Sequence, residues 1–189
     1  MLNKIIFFLL PLSIYAANGT VQIRAGYYYP ESNLMRKLYH SGGAEEEIEG
    51  AVEIYEDLSL FLNGNFFVRS GHSVGLETPT SVQIYPLSLG LKYNFHITPI
   101  VDLYLGAAPT YTWAIFHDKS PYVQEKVHTS ACGVVGKTGA LFFFNQRLFF
   151  DLFFDYYYTN LSGPHSSGTT STSVNSGGFR TGLGCGVKF

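Results

Sequence analysis

Between residue 20 and the carboxy-terminus, apolar and polar side chains alternate in eight separate stretches. A period of two is the spacing of a β-strand whose two faces meet unlike surroundings. The stretches cover residues 20–29, 47–55, 58–69, 81–95, 100–116, 129–144, 148–158 and 179–189. In the last, Phe179, Thr181, Leu183, Cys185, Val187 and Phe189 share one face, and Arg180, Gly182, Gly184, Gly186 and Lys188 share the other. Alternation is clearest in 100–116, where Val101, Leu103, Leu105, Tyr111 and Trp113 oppose Asp102, Tyr104, Gly106 and Thr110. Before Pro86 the parity looks shifted, with Val82 and Ile84 apolar, so a bulge is expected there. Residues 33–39 read as a short helical turn between the first two strands.

The connections alternate strictly between long and short. Residues 56–57, 96–99 and 145–147 are turns; residues 31–46, 70–80, 117–128 and 160–176 are long and polar, glycine-rich or serine-rich. Short turns at one end and long loops at the other are the pattern of transmembrane β-barrels, and strands of about 9–11 residues suffice to cross a bilayer at a tilt. The sequence therefore predicts an all-β fold: an eight-stranded antiparallel up-and-down transmembrane barrel.

Which face looks outward follows from two further patterns. Aromatics on the apolar face gather at the strand ends: Tyr27, Tyr29, Tyr111, Trp113, Tyr156 and Tyr158 near the loops, and Tyr93, Phe95, Phe142, Phe144, Phe150 and Phe189 near the turns. Two such girdles mark the two interfaces of a membrane. The other face carries charges of both signs: Arg24, Arg69, Lys92, Lys137, Arg180 and Lys188 against Glu49, Glu53, Asp102, Asp151 and Asp155. Paired charges are tolerated in a low-dielectric space, and an eight-stranded barrel is narrow enough for side chains to fill. We expect these eleven residues to form a salt-bridged plug rather than to line an open pore. A soluble, lipocalin-like barrel would turn the apolar face inward and leave the loop asymmetry without a cause.

Composition agrees. Of the 189 residues, 46% are hydrophobic, 16% aromatic and only 14% charged, against about 25% charged in average soluble domains. A formal net charge of −2 gives no footprint for nucleic acid. Residues 1–16 read as a cleaved signal peptide: Lys4, then an apolar core over 5–14, then the small residues Ala16 and Ala17. Residues 17–189 would be the barrel. The apolar run over 5–14 is too short to span a bilayer as a helix, which needs ~20 residues. Export permits oxidation of Cys132 and Cys185, but the strand assignment places them too far apart to bridge.

The strand plan and the terminal Val187-Lys188-Phe189 resemble the small eight-stranded outer-membrane β-barrels of the OmpA/OmpX/OmpW-like kind. The resemblance spans residues 17–189 and rests on architecture. It implies residence in the bacterial outer membrane, a lipid bilayer as solvent, and Phe189 as an assembly signal read by the barrel-assembly machinery.

No residue-level functional motif accompanies it. His40, His72, His117, His128 and His165 fall in the expected outer loops, and only His96 lies at a turn. They suggest a metal-binding or pH-sensing cap, but no pair has the spacing of a metal motif, and solvated loop histidines explain them equally. Some barrels of this kind are lipid-modifying enzymes, and His72-Ser73 and His117, Asp118 and Ser120 supply the residue types. The serine-rich loops supply them without catalysis as well, so no enzyme activity, cofactor or metal is expected. Two glycosylation sequons, at Asn18 and Asn160, carry no weight in a bacterial envelope protein. The sequence points to a structural or surface-interaction role, adhesion or host contact, carried by four loops on a rigid barrel. A small pore is the alternative, and a lipid-modifying enzyme the second alternative.

Overall fold

In a computed structural model, residues 18–39, 41–72, 78–118, 126–162 and 173–189 are described. The expected signal segment lies outside them. The chain forms β1 (Gly19–Pro30), α1 (Asn33–Leu38), β2 (Gly43–Tyr55), β3 (Leu58–His72), β4 (Pro79–Thr98), β5 (Val101–Asp118), β6 (Lys126–Phe143), β7 (Leu148–Ser162), β8 (Ser173–Asn175) and β9 (Gly178–Lys188). Neighbouring strands pair antiparallel from β1 through β7; β7 then pairs with β9, and β9 with β1, so the sheet closes. The barrel has eight long strands, and β8 only lengthens the β7 hairpin. Its seam joins the two ends of the described chain, with Gly19 and Phe189 exchanging backbone hydrogen bonds of 2.9 Å in both directions.

The alternation sorts as expected. Ile23 is 60% exposed, Leu105 61% and Leu183 63%, while Glu49 and Phe61 between the strands are fully buried. The aromatic pairs Tyr111–Trp113 at one end, and Tyr93–Phe95 and Phe144–Phe150 at the other, pack edge to face on the outer surface. Cys132 and Cys185 are free, both outward, on strands separated by β7.

Two details differ from the sequence reading. The strands run further toward the loop end, so β2 begins at Gly43 rather than 47, and His72, His117 and His128 stand on strands, not loops. His40 and His165 lie outside the described residues, as do Ser73 and Ser120. Among the described residues no group of three His, Cys, Asp or Glu side chains is placed to hold a metal. Finally, β4 has no bulge at Pro86. The β3–β4 register is the same on either side of it, at Gly64↔Leu87 and Phe67↔Ile84. Val82 and Ile84 are apolar because they point inward, into an apolar section of the lumen.

That section is the outermost of three layers. Tyr28, Phe67, Val82, Ile84, Ala114, Phe116 and Leu161 enclose Met35 and Tyr39 from α1 and the residue after it. The helix forms where expected. Ser32 caps it, its hydroxyl accepting from the Met35 amide, and its last turn carries Arg36 and Lys37. Below lies the charged layer. The turn end is filled by Tyr104, Leu141, Phe149 and Phe153.

Candidate functional site

The middle layer is a single ion-pair cluster, built around two neighbouring inward positions of β2. Glu47 Oε1 lies 2.5 Å from Lys137 Nζ and 3.1 Å from Arg24 Nη1, and Glu47 Oε2 lies 3.0 Å from Arg180 Nη2. Glu49 Oε1 lies 2.6 Å from Lys92 Nζ, and Glu49 Oε2 2.7 Å from Lys137 Nζ. Arg24 Nη2 reaches Asp151 Oδ2 at 2.6 Å, and Arg180 Nε reaches Glu45 Oε2 at 2.5 Å. Asp155 stands off at 3.6 Å from both Arg24 and Lys137. Neutral groups complete the layer: Gln22 donates to Glu49 at 2.8 Å, Asn65 to Glu47 at 2.7 Å, and Tyr104 to Asp151 at 3.1 Å. Aromatic faces close the remaining space. The Arg180 guanidinium lies 4.7 Å from the Tyr157 ring centre, and Lys137 Nζ 5.3 Å from that of Phe61.

Geometry explains the choice of residues. Strand parity places each of them inside, and registers such as Lys137↔Asp155, Asp155↔Arg180 and Arg24↔Glu47 set opposite charges side by side. Removing one partner from such a cluster strands a charge away from water, which costs about 3–5 kcal/mol.

Seven of the eleven expected lumen residues meet here: Arg24, Glu49, Lys92, Lys137, Asp151, Asp155 and Arg180. Four do not. Asp102 is buried at the turn end and bonds His96 instead. Glu53, Arg69 and Lys188 are only half buried and form no ion pair with any described residue. Parity gives the face of a strand but not the height along the barrel, and these four sit above or below the cluster. Two members were missed, Glu45 and Glu47: Glu45 falls in the expected loop 31–46, and Glu47 opens the second strand stretch without being counted among its inward charges. Their parity with Glu49 was the signal that could have found them.

Both ends of the lumen are distinct. At the loop end the apolar cap covers it. At the turn end a cavity of about 230 Å³ is lined by Glu53, Asp57, Lys92, His96, Asp102 and Lys188, among others. There His96 bridges two carboxylates, with Nδ1 2.6 Å from Asp102 Oδ1 and Nε2 3.0 Å from Asp57 Oδ1. The hydrogen bond to Asp102 raises the His96 pKa above its ordinary value, with help from the charge on Asp57.

Comparison with known proteins gives the fold and little more. No protein-family model matches the chain, and no curated protein matches it. Solved structures do. Neisserial surface protein A (NspA) superposes with a TM-score of 0.67 at 18% identity, covering 90% of this chain and 97% of that one. OprG from Pseudomonas aeruginosa gives 0.67 at 16% identity, covering 92% and 96%. Ail, the attachment invasion locus protein of Yersinia pestis, solved with the heparin analogue sucrose octasulfate, gives 0.59 at 15% identity, covering 92% and 99%. The chain has the fold of the small eight-stranded outer-membrane β-barrels.

Proposed function

We propose that this chain is an outer-membrane β-barrel that works as a plugged scaffold. Its function resides in the four connections at the loop end, and its lumen serves to hold them rigidly. A signal peptide over residues 1–16 would export it, the barrel-assembly machinery would insert it using Phe189, and the apolar belt between the girdles would face lipid. The observation that carries this reading is the closed lumen, an ion-pair layer beneath an apolar cap. In water the exposed apolar exterior would far exceed the few hundred Å² that soluble monomers expose, whereas in hydrocarbon it is the favoured surface. Ligands of such a scaffold meet it from outside, which favours an external protein or host-surface partner over a transported solute. The Ail neighbour, solved with a heparin analogue, fits that role.

The test compares two measurements on the refolded mature chain, once unboiled and boiled samples are seen to migrate differently in SDS. Planar-bilayer recording is expected to show no stable conductance steps. Displayed on a non-adherent bacterial host, the chain is expected to confer binding to host-cell surfaces, and replacing residues 73–77, 119–125 and 163–172 with short glycine–serine linkers to abolish it. Stable steps that change with Lys92→Ala would establish the pore instead.

A further inference from the structure

The loop end of the lumen contains a roof, a gap and two unused donors that the scaffold role does not need. Between the ion-pair layer and the apolar cap lies a gap of about 20 Å³, enough for one water-sized group. Arg180, Thr159, Glu45, Tyr157, Tyr28 and Phe67 line it. Arg180 is 3% exposed and Thr159 2%. Arg180 spends Nε and Nη2 on Glu45 and Glu47 but leaves Nη1 without a hydrogen-bond partner, and Thr159 Oγ1 has none either. Buried polar atoms are rarely left so in native proteins, and those that are point to a ligand or a functional role.

The roof is α1. Met35 and Tyr39 fill a socket of Phe67, Val82, Ile84 and Phe116, and the Tyr39 hydroxyl lies 3.1 Å from Thr80 Oγ1. A helix of six residues has no stability of its own and holds only by this packing. The chain leaves it through two residues of positive φ, Ser41 at 66° and Gly42 at 116°, where small changes of dihedral swing the segment. Lifting α1 would open an apolar socket floored by two hydrogen-bonding groups.

The charges beneath select the occupant. The cluster holds five carboxylates, Glu45, Glu47, Glu49, Asp151 and Asp155, against four cations, Arg24, Lys92, Lys137 and Arg180. A further anion is repelled, and an ammonium finds a guanidinium already there. A neutral oxygen satisfies Arg180 Nη1 as acceptor and Thr159 as either partner. The roof itself shows the matching body, a thioether chain and a phenol ring.

We propose that the loop end of the barrel is a lidded binding chamber for a small neutral phenol or alcohol, which displaces Met35 and Tyr39 and bonds Arg180 and Thr159 through its oxygen. Closed and open forms compete, so the apparent affinity is lowered by the fraction of lid that is shut.

Three probes of one shape test it: p-cresol, which is the tyrosine side chain itself; toluene, which lacks the oxygen; and p-toluate, which is anionic. The mature chain is placed in phospholipid nanodiscs and observed through the ¹³C-labelled methyl of Met35, the chain's only methionine apart from Met1. p-Cresol is expected to give a saturable shift of the Met35 resonance, toluene a weaker one and p-toluate none. With p-cresol followed by saturation-transfer signal, Thr159→Val is expected to weaken binding about fivefold, the worth of one neutral hydrogen bond. Met35→Ala is expected to tighten it, because the lid no longer competes. A Met35 resonance indifferent to p-cresol would overturn the proposal, as would equal responses to p-cresol and toluene, or saturation by p-toluate. Unchanged affinity in Met35→Ala would overturn the lid.

Discussion

Lys137 and Asp155 sit across one β6–β7 rung, yet their surroundings give them unequal weight. Lys137 Nζ is enclosed by Glu47 and Glu49 at 2.5 and 2.7 Å, both fully removed from water. Asp155 keeps 3.6 Å from its nearest cations, and neither of its oxygens has a hydrogen bond. The cluster also carries one carboxylate more than it has cations. Lys137→Met takes a cation from Glu47, which keeps Arg24 and Arg180, and from Glu49, which keeps Lys92; it deepens the buried excess of negative charge and is expected to lose about 3–5 kcal/mol. Asp155→Asn relieves the excess and is expected to lose less than half as much. Urea unfolding of the two variants in one detergent, followed by the mobility shift, reads the difference, and the reverse order would refute this account of the cluster.

At the scale of elements, the contact between β3 and α1 decides whether the loop end is capped. Gly71 lies so close to the end of the helix that a Cβ there would stand 1.8 Å from the Leu38 carbonyl oxygen. Gly71→Ala is expected to unseat α1 while leaving the barrel paired. Protease cleavage should then appear within residues 31–42, with the unboiled sample still migrating as folded; a resistant cap would show that the helix is held elsewhere. The eight strands themselves were legible in the sequence because each has one apolar outward face and one mixed inward face, and a period of two records that directly. Legibility failed where the inner surroundings resemble the outer ones. Val82 and Ile84 are as apolar as lipid-facing residues because the outer lumen is apolar too, which mimicked a bulge that β4 lacks. Glu45 and Glu47 failed in the opposite sense, since charges that fill a lumen are spelled like charges that face water. Height was the third loss: Asp102, Glu53, Arg69 and Lys188 lie on the expected face, but nothing in the alternation says which rung of a neighbour each will meet.

For the whole molecule, an apolar exterior surrounds a lumen in which an ion-pair layer lies between two apolar layers. Among the ion pairs of the described residues, the one open to bulk pH is the His96 bridge beyond the Tyr93–Phe95 pair, which ties the turn after β2 to the β4–β5 hairpin. Its setting includes Glu53, Asp57, Asp102, Lys92 and Lys188. The raised pKa means that folding favours the imidazolium. Its contribution is full below the ordinary histidine pKa of about 6.5 and is lost as pH rises through the raised folded value. The unfolding midpoint should fall across that interval, and His96→Asn should flatten the profile; an unchanged slope would remove His96 from the account. The seam has a different consequence, in the order of events. The strands it joins, β1 and β9, stand at opposite ends of the sequence, so this pairing closes the longest loop available to the chain. Every other barrel pairing links consecutive long strands and can form from local encounters. The entropic toll of closure therefore falls last and all at once, once β9 is available to meet β1. Until then the molecule is an open ribbon with two unpaired borders, each a template for another copy. Its period of greatest hazard is the interval before Gly19 meets Phe189.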